Sequence, residues 1–207
     1  MYRPRAFVVD DLPVLHGIIH TRVFATIAIV DEGVVRFAYA PVVLDADGGL
    51  GTIRFHLAHA NPVVALADGA RMAVTFIGPD AYVSPDWYDS EGLVPTWNYI
   101  AVEGVGVARK MDEQVLDQLL QDLSEQEEAK LEPKAPWTLD KLAPGKRAAL
   151  LQAIAGFELS FETLKGKFKL SQDKKPADIN GVIRALEARD DLASLAVAAA
   201  MREAGIV

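Results

Sequence analysis

The stretch Val23-Phe-Ala-Thr-Ile-Ala-Ile-Val30, Asp31-Glu-Gly33 and Val34-Val-Arg-Phe-Ala-Tyr-Ala-Pro-Val-Val-Leu44 decides the fold. Its two apolar arms are rich in β-branched residues and flank a tight-turn sequence, which predicts a β-hairpin. Further strands are predicted at Gly51–Leu57, Met72–Ile77 and Tyr99–Val107. Several strands joined by hairpin-length turns favour an antiparallel barrel or sandwich over a βαβ arrangement.

Helical patterns lie before and after these strands. Asp10 and Asp11 are suited to cap a helix that carries Leu15 and Ile19 on its apolar face. The remaining helices are predicted at Pro62–Ala67, Asp112–Lys130, Gly145–Ala153, Pro176–Ala188 and Asp191–Ala204. Pro133–Pro144 reads as an irregular, proline-punctuated connection.

One more strand is predicted at Ala155–Thr163, where apolar and polar residues alternate. Beyond Thr163 the alternation inverts, because Leu164, Phe168 and Leu170 are the apolar residues. Either a bulge or the end of the strand near Thr163–Gly166 would explain the inversion.

Composition excludes several classes of protein. The chain has 207 residues, 29 acids against 21 bases and a net charge of −8, which works against sequence-independent binding to nucleic acid or to anionic membranes. It contains no cysteine, so disulfides, thiolate zinc sites and cysteine nucleophiles are absent. No apolar run is long enough for a membrane span, and we expect a cytoplasmic protein.

The charge is distributed unevenly along the chain. Asp112–Glu132 contains eight acids and one base, which indicates a solvated helix face or, alternatively, an acidic surface that binds a partner. Lys165–Lys175 contains five of the ten lysines, together with Ser171 and Gln172. Clustered ammonium groups with hydroxyl and amide donors suit a phosphate, although a solvated basic turn has the same composition.

Aromatic residues cluster in a second place. Ala81–Tyr88 and Val94–Tyr99 combine tyrosine and tryptophan with proline, threonine and asparagine. Such side chains can stack on a planar ring and bond its polar edge, or they can form a hydrophobic lid over a barrel end. His56 lies on the same strand face as Arg54 and is assigned to an anion rather than to a metal, for which we predict no site. No P-loop, nucleophile elbow or dinucleotide fingerprint is present.

Five strings in one order carry a family resemblance. They are Met1-Tyr-Arg-Pro4, Gly51-Thr-Ile-Arg-Phe-His-Leu-Ala-His-Ala-Asn-Pro62, Ala81-Tyr-Val-Ser-Pro-Asp-Trp-Tyr88, Val94-Pro-Thr-Trp-Asn-Tyr99 and Gly166-Lys-Phe-Lys-Leu-Ser-Gln172. With them the chain resembles the PaiB-like family of FMN-binding negative transcriptional regulators, which is related to the pyridoxamine-phosphate-oxidase-like split barrels. The resemblance implies an α+β fold: an antiparallel split β-barrel over 1–175, with peripheral helices and a C-terminal helical extension over 176–207 packed on the same domain.

The resemblance also implies a homodimer with FMN between the subunits. The residues assigned to the phosphate are Arg54, His56, Lys167, Lys169 and Ser171. Those assigned to the isoalloxazine are Tyr82, Ser84, Trp87, Thr96, Trp97 and Asn98, with Gln172 near a polar edge of the ring. Three positions depart from the family pattern, namely Tyr39, Phe168 and Asp173. Because two of these changes make the pocket poorer for an anion, weak FMN binding or its absence is an alternative expectation.

The functional hypothesis is a flavin-binding regulatory or sensing module. The predicted helices Pro176–Ala188 and Asp191–Ala204, with the residues joining them, carry three arginines against five acids, so strong direct contact with DNA is not expected. An FMN-dependent oxidoreductase and a split barrel without cofactor are the alternatives; no catalytic residue is assigned.

Overall fold

A seven-stranded antiparallel sheet dominates the computed structural model, which describes residues 1–143 and 145–205. Its strands are β1 Val8–Val9, β2 Phe24–Asp31, β3 Val34–Asp45, β4 Thr52–Ala58, β5 Arg71–Val83, β6 Thr96–Lys110 and β7 Ile154–Lys169. The strand order is β1-β7-β4-β3-β2-β5-β6, and β6 also pairs with β7. Six strands therefore close on themselves and β1 is added at β7. The predicted α+β split barrel is confirmed.

Helices flank the sheet as the sequence patterns indicated. They are α1 Leu12–Thr21, α2 Val64–Ala67, α3 Glu113–Glu128, α4 Lys146–Gln152, α5 Pro176–Glu187 and α6 Leu192–Glu203. Aspartates cap three of them: Asp11 accepts from the Val14 amide, and Asp112 and Asp191 act likewise at α3 and α6. No helix within the described ranges is long and apolar enough to cross a membrane.

The chain divides into two compact units that share β5, β6 and β7. The first, here called the barrel unit, comprises His16–Phe76 and Glu103–Leu164. The second, here called the cavity unit, comprises Met1–Leu15, Ile77–Val102 and the chain from Lys165 onward. The predicted boundary between residues 175 and 176 stays a prediction, and Ile206–Val207 of the predicted extension lie outside the described residues.

The barrel unit has its core inside the sheet. The hairpin of β2 and β3 pairs from Phe24 opposite Pro41 to Asp31 opposite Val34, which buries alternate residues such as Ile27. On the neighbouring strands the rings of Phe55 and Phe157 lie 5.7 Å apart. Alternate residues of these strands therefore form the core of the barrel unit.

Helix α3 covers part of the barrel unit with Leu116 and Leu119 and carries its acids on the other faces. Several of these acids form ion pairs within the unit: Asp117 with Arg147, Asp122 with Arg54, Glu127 with Lys130 and Glu128 with Lys134. This pairing favours the structural interpretation of the acidic segment over a surface for a partner. Surface pairs of this kind each contribute little to stability.

The cavity unit is built on the helix pair α5 and α6. Ile179, Val182, Ile183 and Leu186 of α5 and Val197 and Met201 of α6 are buried. Strand β1 pairs with the end of β7, with Val8 opposite Lys167 and Val9 opposite Gly166.

Strand ends are where the sequence prediction was wrong. β5 continues to Val83 and β6 begins at Thr96, so both strands are longer than Met72–Ile77 and Tyr99–Val107. β7 does not end near Thr163–Gly166, because it continues to Lys169. The inverted alternation is real: Phe161 is buried before the inversion, whereas Leu164 and Gly166, at positions of the other parity, are buried after it. One residue of the predicted connection, Pro144, lies outside the described residues.

Two helical glycines provide a matched test of packing. A Cβ added at Gly17 in α1 meets nothing within 4 Å, whereas one added at Gly181 in α5 overlaps the carbonyl oxygen of Trp87. We expect Gly17→Ala to raise the free energy of unfolding by about 0.5–1 kcal/mol, because alanine has the higher helix propensity. Gly181→Ala should lower it by about 1–3 kcal/mol, because α5 must move away from Trp87. Urea denaturation followed by circular dichroism measures both, and shifts of the same sign would contradict the packing.

Candidate functional site

A cavity of about 170 Å³ lies in the cavity unit. It is bounded by residues 84–95 between β5 and β6 (the 84–95 segment), by the start of β6, and by the turn that follows β7. The polar side chains that line it are Tyr88, Thr96, Asn98, Lys169, Ser171, Asp173 and Lys174. Gly92, Leu93 and Val94 complete the lining. Two of the five clustered lysines therefore reach one concave surface.

Lys169 is the central cation of the cavity. Its ammonium group donates to the Thr96 hydroxyl and, at 2.9 Å, to the Trp97 carbonyl oxygen, which joins the end of β7 to the start of β6. Burial lowers the pKa of Lys169; the Asp173 charge opposes this effect and the charges of Lys167 and Lys174 add to it. A bound anion would restore the stability of the charged form, so the group is suited to an anionic ligand.

A buried hydrogen-bonded pair forms the floor of the cavity. Asn98 is fully buried, its Nδ2 lies 2.9 Å from the Ser171 hydroxyl, and that hydroxyl lies 3.2 Å from Asn98 Oδ1. Ser171 has φ of 68°, in the left-handed region, where the chain leaves β7. Gln172 closes this turn, since its amide donates to the Phe168 carbonyl and accepts from the Leu170 amide. Both ends of the Gln172 amide are thus used by the backbone.

Tyr88 brings a second polar group into the cavity. Its buried hydroxyl makes no hydrogen bond to any described residue, although Ser171 is close enough to influence its pKa. Burial raises the pKa of Tyr88, so the hydroxyl stays protonated and can donate. Asp173 carries the opposing charge and pairs with Lys174 at 2.9 Å.

The other residues predicted for the ring lie around the same part of the chain. Tyr82 and Trp97 form an edge-to-face pair with ring centroids 6.2 Å apart, and their exposed fractions are 40% and 53%. The Ser84 hydroxyl accepts from the Asp86 amide and caps the turn Pro85–Trp87. Ser84 therefore has a structural partner already.

Lys167 differs from Lys169 although the two lie on one strand face. Its ammonium group lies over the rings of Tyr99 and Tyr2, 5.2 and 5.6 Å from their centroids. Cation–π contacts of this kind hold a lysine in place without neutralising its charge.

Arg54 and His56 belong to the barrel unit. Arg54 donates to both oxygens of Asp45 and to Asp122. Burial disfavours the charged Arg54, but its hydrogen bonds to the two aspartates outweigh this cost and raise its pKa. His56 Nδ1 is buried without a hydrogen bond from any described residue, and burial lowers the pKa of His56. The roles assigned to these two residues stay predictions.

The structure thus groups Thr96, Asn98, Lys169 and Ser171 around one cavity. Sequence reasoning did not select Tyr88 and Lys174, which also line it. The sequence held a signal for both residues: Tyr88 ends the aromatic stretch Ala81–Tyr88, and Lys174 belongs to the lysine cluster Lys165–Lys175. The roles assigned to individual residues in ligand binding remain predictions.

Comparison with known proteins identifies the family. Residues 1–163 match the model of a family described as "Putative FMN-binding domain". The chain is 30% identical to "Protease synthase and sporulation protein PAI 2" of Bacillus subtilis over 188 residues, covering 90% of this chain and 89% of that protein. It is also 30% identical to an uncharacterized protein of Emericella nidulans over 207 residues, covering 83% of this chain and 82% of that protein.

A solved structure agrees with the fold. The flavocytochrome Anf3 of Azotobacter vinelandii superposes with a TM-score of 0.60 at 17% identity, covering 81% of this chain and 72% of that chain. The resemblance to PaiB-like split barrels is confirmed, and so is FMN as the cofactor. The chain belongs to the family described as "Putative FMN-binding domain", whose model matches residues 1–163.

Proposed function

We propose that the cavity holds the phosphate end of FMN and that the protein is a flavin-binding regulatory or sensing module. The observation that carries the proposal is the Lys169 ammonium group, fixed by Thr96 and the Trp97 carbonyl at the wall of the cavity. Lys174 and the unpartnered Tyr88 hydroxyl supply further donors. This donor set fits a phosphate.

The size of the cavity limits what it can hold. Sites for whole cofactors usually measure about 300–1,000 Å³, and this cavity measures about 170 Å³. It suits a phosphate and the adjoining part of a ribityl chain rather than the three-ring system. The exposed rings of Tyr82 and Trp97 offer a surface on which a flavin ring can stack.

FMN, when bound, supplies a ring that accepts and returns electrons. The residues of the chain bind and orient it: Lys169 and Lys174 neutralise the phosphate, and Tyr88 donates a hydrogen bond. Asp173 opposes them with one negative charge at the same cavity. Moderate rather than tight affinity follows, which suits a protein that responds to the amount of flavin.

A regulatory role is favoured by the Bacillus relative, whose name refers to sporulation. Strong direct contact with DNA is not part of the proposal. Arg202 of α6 pairs with Glu187 of α5, and Arg189 pairs with Asp191, so arginines on this helix pair are neutralised by neighbouring acids. The regulatory effect would then pass through a ligand or a protein partner.

We further propose a homodimer formed through the outer face of the β2–β3 hairpin. Phe24, Val30, Val35, Phe37 and Tyr39 project from this face and are each at least half exposed. None of these five side chains is acidic. Two copies of the chain, each with net charge −8, can therefore meet at this face without bringing carboxylates together. A second copy of the chain is the occupant that such a self-complementary face suits.

The phosphate site is tested by comparing FMN with riboflavin, which lacks the phosphate. Lys169→Met should weaken FMN binding by about 10–100-fold, the loss expected for a hydrogen bond to a charged group, and should leave riboflavin binding unchanged. Lys110→Met, in the barrel unit, is the control. Titration followed by flavin fluorescence measures the affinities.

Two outcomes would contradict the proposal. Equal losses for FMN and riboflavin would remove the phosphate from this cavity, and unchanged FMN affinity would do the same. Anaerobic bleaching of the bound flavin by NADPH would replace the sensing role with the oxidoreductase alternative.

The dimer is tested by light scattering after size-exclusion chromatography. Wild-type protein should have twice the mass of the chain, and Phe37→Asp should have the monomer mass, because a carboxylate cannot be buried unpaired in an apolar interface. FMN affinity should fall with it if the cofactor lies between subunits. Leu192→Asp, at a still more exposed apolar position on α6, should stay dimeric. A Phe37→Asp variant with the dimer mass would exclude this face.

A further inference from the structure

We infer that Asp178 is a positioning residue for the ligand cavity, so that helix α5, beyond the family model, is part of the binding site. The cavity depends on the 84–95 segment, which contributes Tyr88, Gly92, Leu93 and Val94 to its lining. This segment has no strand of its own and needs to be held from outside. The inference rests on the proposed function, because it assigns Asp178 to the same cavity.

Asp178 holds the segment directly. One carboxylate oxygen accepts from the Ser90 amide at 2.8 Å and the other from the Ser90 hydroxyl at 2.9 Å. The side chain is almost completely buried, with 2% of the residue exposed. Burial alone would raise the pKa of Asp178, but hydrogen bonds from Ser90 and from the Asp89 amide outweigh it and lower the pKa. The carboxylate is therefore charged, and both of its oxygens accept a hydrogen bond from Ser90.

A second contact holds the segment three residues earlier, at Trp87. The backbone of α5 at Gly181 lies so close to the Trp87 carbonyl oxygen that a Cβ would overlap it. The two contacts, at Trp87 and at Ser90, bracket Tyr88. Because Trp87 and Ser90 are both held against α5, the backbone at Tyr88 is held between them, and this positions the Tyr88 hydroxyl in the cavity.

Comparison with the other helices shows that Asp178 has a distinct task. Asp11, Asp112 and Asp191 each accept a backbone amide three residues later in their own helix. Asp178 lies in the first turn of α5 but bonds to a residue 88 positions away, while Lys175, the N-cap of α5, makes no side-chain capping bond. The acid serves the 84–95 segment in place of its own helix.

The test compares Asp178→Asn with Asp191→Asn. Asp191 is a matched control, because its carboxylate also accepts from a serine amide and the same serine hydroxyl, at 2.8 Å each, but within α6. An asparagine at 178 keeps the shape and offers one acceptor where two are needed. Hydrogen exchange by mass spectrometry follows the 84–95 segment, and fluorescence titration gives the FMN affinity.

We expect Asp178→Asn to speed exchange in the 84–95 segment at least tenfold and to weaken FMN binding at least tenfold. Asp191→Asn should change neither. Ser90→Ala, which removes the hydroxyl donor alone, should give smaller changes in the same direction and replaces Asp178→Asn if that variant does not fold.

The outcomes separate this inference from the proposed function. If exchange is faster in Asp178→Asn but Lys169→Met leaves FMN binding unchanged, Asp178 holds the 84–95 segment and the cavity is not the phosphate site. Unchanged exchange in Asp178→Asn, or equal effects of Asp178→Asn and Asp191→Asn, would overturn the inference.

Discussion

The hydrogen-bonded pair of Asn98 and Ser171 is the interaction on which the cavity depends. It joins β6 to the turn after β7 inside the core of the cavity unit, where a polar group without a partner would be costly. With Asn98 fixed, its neighbours Thr96 and Trp97 meet Lys169. With Ser171 held in the left-handed region, the chain turns toward Asp173, Lys174 and α5. One buried pair thus sets the positions of the donors on two elements.

Much of the fold could be predicted because the barrel obeys simple periodicity. β-Branched runs on either side of a tight-turn sequence identified β2 and β3, alternation identified β7, and aspartates marked the starts of helices. The strand ends were less accessible. Along β5 and β7 the buried parity changes near the passage into the cavity unit, so a rule that follows one alternation loses these strand ends, whereas β6 buries the same parity in both units.

The site was predictable in composition and much less so in contacts. Alternation places Lys167 and Lys169 on one face of a strand, but only the facing residues decide their roles: two tyrosine rings hold Lys167, whereas Thr96 and a carbonyl hold Lys169. The antiparallel pairing of β3 with β4 brings Asp45 close to Arg54, whereas the second partner of Arg54, Asp122, comes from α3. No local pattern marks Asp178, since its serine partner lies 88 residues away.

The three tryptophans of the chain are placed unequally, and this has a practical consequence. Trp87 lies in the 84–95 segment and Trp97 lies at the start of β6, so both belong to the elements that form the cavity. Trp137 belongs to the barrel unit, where its backbone amide donates to Glu128. Indole emission from this protein is therefore weighted toward the ligand site. An optical signal for occupancy of the cavity is built into the native sequence, with no label to attach and one tryptophan in the barrel unit as an internal reference.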